Sequence, residues 1–182
     1  MDEPSTRTRS MPTLGVVLLV VAGALFIIGA FVSAAKVKLP TGSSSSSLWD
    51  QDWEGIASLT LGIVLLLLAA WAMWSKGSLR AGGLVIAVLG LAGAGLALYK
   101  ILNVESEAVD GVAESLALQQ GVAVEATKPV AQQLFDTGAA SVSVDIGLYL
   151  VLIAGVLTIV GGLVLAMSGS SRRASSAVVP GP

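Results

Sequence analysis

Four apolar runs, each about twenty residues long, take up nearly half of this 182-residue chain. They cover residues 12–34, 55–74, 81–102 and 146–168. A helix rises about 1.5 Å per residue, so ~20 residues cross the ~30 Å hydrocarbon core of a bilayer. The pattern predicts an all-α, integral membrane four-helix bundle as one domain, occupying 12–168. Residues 1–11 and 169–182 are then polar tails, with outer loops at 35–54 and 103–145 and an inner loop at 75–80.

Charge sets the orientation. The two tails and the 75–80 loop hold Arg7, Arg9, Lys76, Arg80, Arg172 and Arg173, with Asp2 and Glu3 as their acids. The opposite side holds Lys36, Lys38, Lys100 and Lys128 against ten acids. Cytoplasmic segments collect Lys and Arg near the membrane. Both termini are therefore expected in the cytoplasm, with an acidic face outside. The first run has a rival reading as a signal peptide, with Val32-Ser33-Ala34 as a cleavage site. Its length exceeds the usual 7–15 apolar residues of such a segment, which favours an uncleaved anchor.

Composition removes several chemistries. Cysteine and histidine are both absent, so there is no thiolate, no disulfide and no imidazole ligand or base. A net charge of −2 leaves no footprint for nucleic acid. Between their ends the four runs carry no ionisable residue, whereas pumps and ion-coupled transporters place such groups at depth. The deep hydroxyls, Ser58, Thr60 and Thr158, are expected to bond their own helices. No enzyme activity and no cofactor are expected.

The loops carry weaker signals. Pro40-Thr41-Gly42 marks a turn, and the five serines at 43–47 read as a flexible low-complexity stretch. Helical spacing of Val109, Val112, Ala113 and Leu116 predicts that the third helix continues outward until Gly121. Thr127 reads as an N-cap, and Val130, Ala131, Leu134 and Phe135 as one face of a short helix stopped by Gly138. Together these give a small extracytoplasmic helical cap. Alternation at Val122/Val124 and Val142/Val144 suggests a short strand pair. The brief inner loop predicts that helices two and three are antiparallel neighbours.

Asp50-x-Asp52-x-Glu54-Gly55 resembles the first half of an EF-hand calcium loop. Its twelfth position is Leu61, so it reads first as an acidic helix start and only secondarily as a weak calcium candidate. Trp49, Trp53, Trp71, Trp74, Tyr99 and Tyr149 are candidate interface anchors. Trp53 and Trp74 lie 21 positions apart, about 31 Å on a helix. Small residues four apart recur in every run, as in Ser58/Gly62, Gly90/Ala94 and Gly162/Ala166. They permit close helix packing, either within one bundle or against a partner.

Trp53-Glu54-Gly55-Ile56, the short basic inner loop and Asp145-Ile146-Gly147-Leu148-Tyr149-Leu150 resemble small, mostly uncharacterised four-span proteins of high-GC Gram-positive bacteria. That resemblance implies a bacterial plasma membrane and brings no catalytic residues. A Pro-Trp pair expected after the first span of such proteins is missing. The layout is also similar to tetraspanins, but the cysteines that shape their outer loop are absent. Three roles are compatible with these features. One is an accessory or scaffold subunit of a membrane or envelope complex, with a protein partner or homo-oligomer in the bilayer. The second is a small channel or transporter formed by oligomerisation. The third is an extracytoplasmic sensor or ligand-binding protein.

Overall fold

The computed structural model describes residues 10–40, 42–48, 53–74 and 80–168. Eight elements follow one another: α1 (Ser10–Phe31), β1 (Ser33–Leu39), β2 (Gly42–Ser47), α2 (Trp53–Trp74), α3 (Arg80–Gln120), α4 (Val124–Asp136), β3 (Ser141–Val144) and α5 (Ile146–Ser168). Four helices are long and apolar enough to cross a membrane, in agreement with the helical bundle expected.

The helices pack in the order α2, α1, α5, α3. The most extensive contacts are α3 with α5 and α1 with α5, followed by α1 with α2. Glycine causes this order. A Cβ on Gly83 would lie 2.5 Å from the Gly162 carbonyl oxygen, and one on Gly162 would lie 2.6 Å from that of Gly83. Backbones that close gain dispersion contacts along their whole length. Gly23 and Gly62 make the same approach between α1 and α2. The small-residue pairs read from the sequence thus serve packing inside the chain.

The expectation that α2 and α3 pack as neighbours needs correction. They meet sparsely, because each presents its glycine face to a different helix. Phe26 of α1, 1 % exposed, enters the gap and packs on Gly93, where a Cβ would come 2.6 Å from its ring. Ser58 also departs from expectation. Its hydroxyl donates across helices to the Phe26 carbonyl (3.0 Å), while Thr158 bonds its own helix at Ala154 (2.8 Å).

α1 ends at Phe31, short of the expected 34. From Ala35 the side chains alternate Ala-Lys-Val-Lys-Leu, a period of two that suits a strand. β1 pairs antiparallel with β2 on one side and β3 on the other. The serines at 43–47 are therefore a strand in a hairpin, not a flexible stretch. Val142 and Val144 pair with Val37 and Ala35 of β1 rather than with residues 122–124. Val124 instead opens α4. The cap thus adds a three-stranded sheet to the helical hairpin expected.

α3 runs unbroken for 41 residues, about 60 Å, from the bundle into the cap. Gly121 then takes φ +65°, and the Val122 N–H bonds back to the Ala117 carbonyl (3.2 Å). This closure satisfies a terminal helix carbonyl and needs the left-handed residue that glycine supplies.

Candidate partner-binding surface

The cap has its own small core. Val112 and Ala113 of α3 and Ala131 of α4 are buried, with Val37, Leu39, Leu116, Leu134 and Phe135 packed around them. Thr127 is not the N-cap expected. Ala123 holds that position without a side-chain bond. Thr127 is buried instead, and its hydroxyl reaches the carbonyl oxygens of Ala113 (2.7 Å) and Val124 (2.8 Å). It ties α4 to α3, an arrangement no local pattern announces.

Alternation divides the sheet into two faces. Val37, Leu39, Val142 and Val144 are half-buried on one side. On the other, cross-strand register aligns Ser45–Lys36–Ser143 and Ser43–Lys38–Ser141. All six of these residues are exposed. Two lysines flanked by serines therefore form an uncovered polar face. Lys36 pairs with Asp145 at 3.2 Å. The Ile146 N–H donates to Asp145 Oδ1 (2.8 Å), and this bond, more than the Lys36 ammonium, holds the Asp145 carboxyl below the usual carboxylate range. On the far side of the cap, Lys128 pairs with Asp110 at 2.9 Å. The carboxylate raises the Lys128 ammonium above its ordinary value, through its hydrogen bond first and its charge second.

A buried ionic cluster lies where cap and bundle meet. Lys100 Nζ is 2.7 Å from Glu54 Oε1 and 2.8 Å from Glu107 Oε2. The Lys100 and Glu54 side chains are 10 % and 11 % exposed. Beneath them is a cavity of about 10 Å³ lined by Phe26, Leu48, Ser58, Leu61 and Leu148 among others, room for at most about one water. In the sequence Lys100 falls at the outer end of the third apolar run, and nothing local joins it to Glu54. The spacing of seven between Lys100 and Glu107 was available as a same-face signal. Glu54 arrives from another helix.

Glu54 of the calcium candidate is therefore held by Lys100, while Asp50 and Asp52 lie outside the described residues. Among the described residues, no group of three His, Cys, Asp or Glu side chains could hold a metal ion. Trp49 also lies outside the described residues. Trp53, Trp71, Trp74, Tyr99 and Tyr149 are all exposed, with Trp53 and Trp74 at opposite ends of α2.

Comparison with protein-family models, with curated proteins and with solved structures finds no match in any of the three.

Proposed function

We propose that this chain is a non-catalytic multi-pass protein of the plasma membrane. Its termini are cytoplasmic, and it is an accessory or scaffold subunit of a membrane or envelope assembly. The cap is the part that meets a partner. One observation carries this reading: the cap is continuous with the bundle and braced at its base. α3 runs through both, β1 and β3 join the two loops, and Lys100 clamps α2 to α3. A platform held so firmly loses little conformational freedom when a partner binds, which favours affinity.

The small-residue faces support recognition by the cap rather than by the spans, since those faces are spent inside the bundle. The three deep hydroxyls do not line one path. Ser58 and Thr158 are buried, and Thr60 is exposed.

The absence of native cysteine makes the topology direct to test. A Glu114→Cys variant in intact cells is expected to react with a membrane-impermeant maleimide. Mild solubilisation followed by affinity purification is expected to bring down a stoichiometric protein partner. Labelling of Glu114→Cys only after lysis, or recovery of a lone monomer, would overturn the proposal.

A further inference from the structure

Strand β2 is the end strand of the sheet, and residues Gly42 to Ser45 are exposed. Edge strands present unpaired main-chain donors and acceptors, and proteins ordinarily guard them with charge, proline or a bulge. β2 is glycine followed by five serines and has none of these along its length. The register irregularity lies at its foot, beside Ser33 and Ala35.

The hairpin register identifies which groups face outward. Leu39 pairs with Gly42, so two residues form the connection, and the pair closing such a hairpin exchanges hydrogen bonds. Bonded and non-bonded pairs then alternate. Leu39/Gly42 and Val37/Ser44 are bonded, while Lys38/Ser43 and Lys36/Ser45 are not. The N–H and C=O groups of Ser43 and Ser45 therefore point away from β1, along the open edge. The main chain of Lys36 and Lys38 points the other way, toward its register partners Ser143 and Ser141 of β3.

From this geometry we infer that the β2 edge is a docking strand for an extended acidic peptide segment of a protein partner, added antiparallel as a fourth strand. The inference rests on the scaffold reading and names the partner's chemistry. Main-chain bonds at Ser43 and Ser45 supply the attachment, as in other strand-addition complexes. Charge sets the preference. Residues opposite Ser43 and Ser45 lie on the polar face, about two strand spacings, or ~10 Å, from the lysine backbone. Lysine side chains span most of that distance, and Lys38 has no ion pair among the described residues. Acidic side chains at alternate positions of the incoming strand match this face.

A second copy of the chain fits the edge poorly. Two copies in one bilayer are related by an axis along the membrane normal. With β1 rising from the end of α1 and β2 returning, two β2 strands would then meet parallel and by the same edge. A paired parallel strand offers opposite edges to its neighbours.

The test uses the full chain in nanodiscs of zwitterionic lipid, with the fluorescent peptide Thr-Glu-Val-Glu-Val-Glu-Thr read by anisotropy. Two of the three glutamates fall opposite Ser43 and Ser45, so N-methylation of the glutamates is expected to weaken binding at least tenfold, about the effect of two lost hydrogen bonds. N-methylation of the valines is expected to leave binding unchanged. Ser45→Pro, which removes an outward N–H, is expected to abolish binding while the cap stays folded. Ser44→Pro breaks the hairpin and serves as the folding control. The Lys36→Gln/Lys38→Gln variant is expected to bind several-fold more weakly, and replacing Glu by Lys in the peptide is expected to do the same. No binding, equal loss with either N-methylation pattern, or full binding by Ser45→Pro would overturn the inference. A native partner that co-purifies equally with Ser45→Pro would also overturn it, while leaving the scaffold reading in place.

Discussion

Lys100 of α3 and Glu54 of α2 form an ion pair of 2.7 Å, with both side chains about nine-tenths buried, at a seam where their two helices otherwise barely touch. Glu107 completes the arrangement from two turns further along α3. Little apolar packing joins α2 to α3, so this pair is the main strap across the seam. Removing Lys100 leaves the Glu54 charge buried and uncompensated, which costs about 3–5 kcal/mol, whereas removing Glu54 costs less because Glu107 still pairs with Lys100. Lys100→Met is expected to lower the detergent-solubilised unfolding midpoint clearly, and Glu54→Gln to lower it by less. The double variant Glu54→Met/Lys100→Met is expected to recover most of that loss. Equal melting of the single variants and the wild type would show that the pair adds nothing.

Gly83 and Gly162 face each other between α3 and α5, with room for no Cβ on either. The obstacle is backbone, which cannot rotate aside. Gly83→Ala or Gly162→Ala is therefore expected to cost about 1–3 kcal/mol through forced separation of the helices. Gly95 has nothing within 4 Å of its Cβ position, so Gly95→Ala is expected to be neutral or slightly stabilising. Thermal unfolding of the three variants side by side measures the contrast.

Most of the bundle was legible in the sequence, because span length and apolar content are local properties. So was the exit of α3 toward Gly121, since Val109, Val112, Ala113 and Leu116 keep helical spacing. The strand at 35–39 was equally readable from Lys36 and Lys38 alternating with Val37 and Leu39, but the serines that follow masked it. Serine favours strands weakly, and its pairing here is set by β1 rather than by its own propensity. Helix order was not legible. Every span carries small residues, and which glycine meets which depends on the whole bundle. The same holds for Thr127 and Glu54, whose partners lie 14 and 46 positions away.

Thr127 anchors α4 to α3 through the Ala113 carbonyl. Thr127→Val keeps the side-chain shape and removes that bond, while the Ala113 carbonyl keeps its bond within α3, so the cost is about 0.5–1.5 kcal/mol. The expected outcome is local. Amide exchange should speed up across α4 and the end of α3, while the spans keep their protection. Uniform destabilisation, or unchanged α4 protection, would contradict the anchoring role.

Asp145 joins the start of α5 to strand β1, through the Ile146 N–H and the Lys36 ammonium. Its carboxyl titrates lower in the folded chain than in the unfolded one. The stabilisation is therefore fully present above the unfolded value, about 3.9, and is lost as pH falls through the lower folded value. The Lys128–Asp110 pair behaves in the opposite sense for its lysine, whose raised value keeps its contribution intact at neutral pH and loses it only in strong alkali. Both sites are open to solvent and screened by salt, so each effect is small. Between pH 6 and pH 3, exchange at the β1–β3 amides is expected to accelerate in the wild type. In Asp145→Asn the same amides are expected to be faster already at pH 6, and to gain less on acidification once the intrinsic pH dependence of exchange is removed. If both proteins responded alike, the carboxylate would not be the group that fastens β1 to the head of α5.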